Sequence, residues 1–178
     1  VLPAALDQRL EDFALALTAH VAEPSETNLA QVELQADRAL RHTLVAAQKP
    51  RMERVEMARR LARWLMNATP TASSLQTAVA WQSDQGAFVD WARFRLLGGD
   101  ELPDLSQAYS ACREAVIARR NAFAKPFAQA LVQWNAQKPA PEGRIIPLES
   151  VLEHVLAPLA AAHPTLLLVM DGLSISIF

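Results

Sequence analysis

Leu6-Asp7-Gln8-Arg9-Leu10-Glu11-Asp12-Phe13-Ala14-Leu15-Ala16-Leu17-Thr18-Ala19-His20-Val21 decides the fold class. Leu6, Leu10, Phe13, Leu17 and Val21 recur at the 3.6-residue period, so one stripe faces a core. The spacing predicts a helix over about Pro3–Ala22, stopped by Pro24, with Ser25 placed to cap the next. A second helix is expected over about Glu26–Ala47, with Leu29, Val32, Ala36, Leu40 and Leu44 on one face. Lys49-Pro50 breaks it, and a third follows over about Arg51–Asn67 through Val55, Ala58, Ala62 and Leu65. Short connections make these antiparallel neighbours.

Downstream, the same grammar continues. Leu75–Trp81 and Phe88–Leu97 read as shorter helices, and Gly98-Gly99 as a stop. A long helix is expected over about Asp104–Ala136, striped by Leu105, Tyr109, Cys112, Val116, Phe123, Phe127, Leu131 and Trp134. Pro126 is expected to kink or split it. Lys138-Pro139-Ala140-Pro141-Glu142-Gly143 has linker composition. Leu148–Ala162 then reads as a helix, and Thr165-Leu166-Leu167-Leu168-Val169-Met170 as a buried strand ending in Asp171-Gly172. The fold class expected is therefore mainly α: a multi-helix bundle over 1–138, a Pro-rich linker over 139–147, and a helix-strand piece over 148–178 that looks like the start of an α/β sheet. A buried-type strand so near Phe178 suggests a segment of a larger protein.

Composition narrows the function classes. The 178 residues are 51% hydrophobic and 20% charged, as in an ordinary globular chain rather than a disordered one. Seventeen Lys and Arg against nineteen Asp and Glu give a net charge of −2, unlike a nucleic-acid coat protein or a basic membrane binder. One cysteine leaves no internal disulfide and no cysteine-rich zinc framework. Five glycines leave no Gly-rich phosphate loop. Val1–Leu10 lacks the pattern of a signal peptide, and no apolar run approaches the roughly 20 residues of a membrane span. A cytoplasmic protein without membrane contact is expected.

Among chemistry-bearing residues, Asp171 stands first. A carboxylate just past the C-terminal end of a parallel strand points into the crevice where α/β proteins bind ligands. It is a hard oxygen donor for a divalent metal, and Ser174 offers a hydroxyl nearby. The same Asp-Gly also makes a simple turn. Arg51, Arg54, Arg59, Arg60 and Arg63 form the densest basic cluster, suited either to phosphates or, with Glu53 and Glu56 among them, to ion pairs on a solvated face. Arg113, Arg119 and Arg120, beside Glu114, read the same way. His20, His42, His154 and His163 lack metal-ligand spacing and read as structural. Trp64, Trp81, Trp91 and Trp134 read as packing anchors, and Cys112 as an inert buried thiol.

Two segments together carry a family resemblance. Phe88-Val89-Asp90-Trp91-Ala92-Arg93-Phe94-Arg95-Leu96-Leu97-Gly98-Gly99-Asp100, followed by Tyr109 and an Arg-rich helix, resembles the region upstream of the catalytic domain in PglZ proteins. These belong to BREX bacteriophage-resistance systems, and the likeness is greatest to the type 2 systems. Leu166-Leu167-Leu168-Val169-Met170-Asp171-Gly172-Leu173-Ser174 resembles the first strand and metal loop of the PglZ domain, which is similar to the alkaline phosphatase superfamily. The resemblance covers roughly 80–178; the first three helices resemble no family.

The resemblance implies a metal-dependent phosphoric ester hydrolase in the full-length protein. Asp171 would be one ligand of a divalent metal, zinc being the foremost candidate. The other ligands and the attacking residue would lie downstream, and Ser174 is not equated with the superfamily nucleophile. These 178 residues alone are therefore expected to bind no metal and to be inactive. Their own work would be interaction with other BREX components or, on weaker support, with DNA. A free-standing helical adaptor without catalysis is the alternative, and an enzyme site among the helices is a third, disfavoured because no His, Asp or Glu converge at catalytic spacing.

Overall fold

In the computed structural model, residues 3–68, 72–137 and 145–170 are described, and they are mainly helical. Helix α1 (Pro3–Ala22) turns Leu6, Leu10, Phe13, Ala14 and Leu17 inward, where all five are buried. Each fully buried Leu or Phe is worth about 1.5–3 kcal/mol over exposure, so this stripe fixes how α1 sits. α1 packs on α2 (Glu26–Leu40), α3 (Lys49–Met66) and α6 (Pro103–Ala136).

Ser25 caps α2 as expected: its extended backbone leaves Oγ to accept the Asn28 N–H at 3.2 Å. The helix ends at Leu40, short of the expected Ala47. His42 explains the early stop. Its Nδ1 accepts the Leu44 N–H at 3.2 Å, and its own N–H reaches the Ala39 carbonyl at 3.1 Å. A side chain that takes a neighbouring amide competes with the helical ladder. A short 3₁₀ turn, Val45–Gln48, then leads into α3. Pro50, expected only to break, sits in the first turn of α3, where its missing N–H costs nothing.

α4 (Leu75–Trp81) begins at a reciprocal cap in which the Thr77 N–H donates to Ser74 Oγ and the Ser74 N–H donates to Thr77 Oγ1. One wide turn, Gln82–Gly86, carries it into α5 (Ala87–Arg95), so the two expected short helices run on continuously. The chain reverses at Gly99, which has φ 59° and ψ −154°. α6 then runs unbroken past Pro126, which neither ends nor splits it. Pro126 leaves the Ala122 carbonyl without its helical donor, but Ala122 is exposed and water can serve it.

The core lies between α1, α2, α3, α5 and the first half of α6. Leu105, Ala108, Tyr109, Cys112 and Val116 of α6 meet Met52, Val55, Ala58, Leu61 and Leu65 of α3 and the α1 stripe. Val32, Ala36 and Ala39 give α2 a small-residue face that lets its backbone approach. Further along α6 the expected stripe is covered only in part: Ala130 is buried, whereas Leu131 is exposed and Trp134 half-exposed.

The linker stretch 138–144 lies outside the described residues. Leu148–Ala162 is helical, as a 3₁₀ turn, a wide turn and α7 (Ala157–Ala162). Thr165–Met170, expected as a buried strand, is irregular and exposed here: a strand needs a ladder partner, and the described residues offer none. No residue from 145 to 170 is buried. None of the described helices is long and apolar enough to cross a membrane.

Candidate functional site

The surface between α5 and α6 combines concave, charged and aromatic features. Asp90, on α5, stands at its centre. Arg93, one turn on, donates Nε–H to Oδ1 at 3.1 Å. Arg120, across on α6, donates from Nη2 to Oδ2 at 2.9 Å and from Nε to Oδ1 at 3.3 Å. Arg120 Nη2 also reaches Gln82 Oε1 at 2.8 Å, in the wide turn before α5. Burial would raise the Asp90 pKa; the hydrogen bonds and charges of Arg120 and Arg93 outweigh it and hold the carboxyl below its ordinary value.

An aromatic wall supports these charges. Trp81 lies 4.3 Å from Phe123 and 6.5 Å from Trp64, and Phe123 lies 6.1 Å from Phe127, centroid to centroid. Arg120 sits 5.2 Å over Trp81, and Arg119 sits 5.1 Å over Trp64. Arg119 also donates to the Leu65 carbonyl, and burial lowers its pKa. Neither arginine uses the neighbouring Glu114, contrary to the solvated-face expectation. Their partners come from other helices.

Two hollows open on either side of the Asp90–Arg93 pair. One, of about 340 Å³, is lined by Arg120, Phe123 and Phe127. The other, of about 240 Å³, is lined by Phe94, Leu97, Arg113 and Ile117. Asp90 and Arg93 line both, so the two hollows adjoin, and together they are called the groove. Phe94 and Leu97 are 68% and 55% exposed on its rim. Guanidinium donors flanked by apolar surface make a binding set suited to carboxylates or phosphates with an apolar neighbour.

The remaining sequence candidates fall elsewhere. Asp171 and Ser174 lie outside the described residues. Among the described residues, no three His, Cys, Asp or Glu are grouped to hold a metal ion. The Arg51–Arg63 cluster is engaged with carboxylates. Arg59 Nη1 donates to Asp37 at 2.9 Å, Arg63 Nη2 to Glu33 at 2.6 Å, and Arg60 Nε to Glu56 at 2.9 Å. Arg51 grips Asp100, and Arg54 lies 3.7 Å from it.

Cys112 is fully buried, and burial pushes its thiol up to about 12. His20 is buried, with Nε2 3.0 Å from the Ala62 carbonyl, tying α1 to α3. Trp134 is half-exposed; Trp64 is buried in the core, and Trp81 and Trp91 pack against it partly buried. No family model, curated protein or solved structure matches the chain. The groove itself was not legible in advance, because Asp90 and Arg120 stand thirty residues apart and meet only after α5 folds against α6.

Proposed function

We propose that this chain is the helical interaction region of a PglZ-type phage-defence protein, leading into an alkaline-phosphatase-like metal-dependent hydrolase domain that starts in its last thirty residues. The observation that carries the reading is the exposure of Leu166–Met170, an apolar run directly before Asp171-Gly172. Five successive apolar residues facing water need a cover, and a parallel sheet provides one on both faces. The helix over Leu148–Ala162 and this run then make the helix-strand opening of that sheet. Phe88–Asp100, the other half of the resemblance, forms α5 and one wall of the groove, as suits a docking surface for other defence components.

Asp171 supplies a carboxylate oxygen of the kind a divalent metal takes, zinc included, and needs further ligands from beyond the described residues. A bound metal would polarise a phosphate ester. The helical region contributes position: it holds the domain that follows and presents the groove to partners. The test is made on the full-length protein that contains this sequence. Chelator-sensitive hydrolysis of a generic phosphodiester is expected, and Asp171→Ala should lower it by about 10²-fold or more. A coding sequence that lacks an Asp- and His-rich α/β region after Phe178, or a full-length protein without metal-dependent turnover, overturns the reading.

A further inference from the structure

Arg113 differs from the other arginines of the described residues. Each of those meets a carboxylate, an acceptor oxygen or an aromatic ring. Arg113 meets none among the described residues, and its Nε is buried without a hydrogen-bond partner. An unpaired buried donor costs free energy, which an incoming acceptor recovers.

A second guanidinium stands at the same place. Arg93 gives its Nε–H to Asp90, and its two Nη groups donate to no described residue. Arg93 and Arg113 both line the smaller hollow of the groove, of about 240 Å³, with Phe94, Leu97 and Ile117 as its apolar walls. Asp90, itself held twice by Arg120, fixes the Nε side of the Arg93 fork. The fork is therefore set in position before any ligand arrives, which lowers the entropy lost on binding.

Charge selects the class of ligand. Asp90 is the acidic residue lining this hollow, and Arg120 balances it from the far side. Arg93 and Arg113 then keep two positive charges. A carboxylate offsets one of them. A phosphate monoester carries about −1.5 to −2 at pH 7 and offsets both, and its oxygens suit planar guanidinium forks. Phe94 and Leu97, 68% and 55% exposed at the rim, leave apolar surface for the rest of the molecule, and Phe94 offers a ring face. The hollow has room for a compact body rather than a helix.

We propose that the smaller hollow between α5 and α6 binds a small phosphate monoester with a ring-bearing apolar body, clamped by Arg93 and Arg113. The inference stands apart from the hydrolase reading, which concerns Asp171.

The test is calorimetric titration of the 178-residue chain with phenyl phosphate, in low salt with EDTA present to exclude metal chemistry. Phenyl phosphate should bind one to one, with a Kd below about 1 mM. Inorganic phosphate and phenylacetate should each bind at least fivefold more weakly, one lacking the ring and the other the second charge. Arg113→Gln should weaken phenyl phosphate at least tenfold. Phe94→Ala should weaken it about threefold and leave inorganic phosphate unchanged. Asp171→Ala should bind like the parent, which separates this site from the metal reading. Circular dichroism checks that each variant is folded, and Arg93→Gln replaces Arg113→Gln if that chain unfolds. No binding at 5 mM, phenylacetate or inorganic phosphate binding as tightly as phenyl phosphate, or a folded arginine variant that binds like the parent overturns the proposal.

Discussion

Arg51 on α3 holds the carboxylate of Asp100 with two donors, Nε at 2.8 Å from Oδ2 and Nη2 at 2.6 Å from Oδ1. The Asp100 side chain is 1% exposed. Arg51 also reaches Asp7 on α1 at 3.0 Å, and the Leu102 N–H donates to Asp100 at 3.1 Å. Three parts of the chain are joined there: α1, α3 and the loop that starts α6. The Asp100 hydrogen bond, followed by opposing burial and then further attraction to Asp100 and Asp7, leaves the Arg51 pKa above its ordinary value. Removing one partner of such a pair strands the other's charge. Asp100→Ala should cost about 3–5 kcal/mol. Arg41→Ala, which breaks an exposed pair with Asp37, should cost under about 1 kcal/mol. Urea midpoints for the two variants check the contrast, and equal shifts would remove Asp100 from its structural role.

Gly99 places Asp100 for that grip. Its φ of 59° with ψ of −154° is a conformation that side chains rarely adopt, and a Cβ there would stand 2.6 Å from Ser106 Oγ. Gly99→Ala should destabilise by about 1–3 kcal/mol. Gly98→Ala, where a Cβ meets nothing within 4 Å, should shift the thermal midpoint far less.

Asp90 gives the pH dependence a sign. Its pKa is depressed in the folded protein from an ordinary value of 3.8, so its ion pairs stabilise above the unfolded pKa. That contribution is lost as pH falls through the folded value, below about pH 4. Asp90→Asn should therefore be less stable than the parent at pH 6, and the gap should narrow between pH 4 and pH 2. A gap that stays constant in urea titrations across that range would contradict the coupling to Arg93 and Arg120.

Cys112 reports opening of the core. With its thiol buried between helices and pushed up to about 12, little nucleophilic thiolate exists at pH 8. An aromatic disulfide reagent should label the native protein at least 10²-fold more slowly than the same chain in guanidinium. Fast native labelling would mean that the first half of α6 separates readily from α1 and α3.

The final stretch should be separable from the folding of the body. Residues 163–170 are exposed throughout. Truncation after Ala162 should leave the thermal midpoint of the helical part within about 1 °C and improve solubility, since the apolar run Leu166–Met170 is removed. Unfolding on truncation would show that this run belongs to the core.

Periodicity by itself determined the helices and most of the core. Leu6, Leu10, Phe13 and Leu17, or Leu105, Tyr109, Cys112 and Val116, repeat at the helical period, and burial follows because one apolar stripe must leave water. Helix ends followed local rules where the cap is a neighbour, as at Ser25. They departed from them where a buried side chain intervened, as at His42. The pairing of charges was decided only in three dimensions. Glu114 lies within six residues, yet Arg120 pairs with Asp90; Glu53 lies nearby, yet Arg51 takes Asp100. A long side chain chooses among carboxylates by distance, orientation and desolvation, and helix packing sets all three. The groove is likewise tertiary: it exists because α5 crosses α6 with Phe94 and Leu97 left on the rim, a consequence of which face each helix gives to the core.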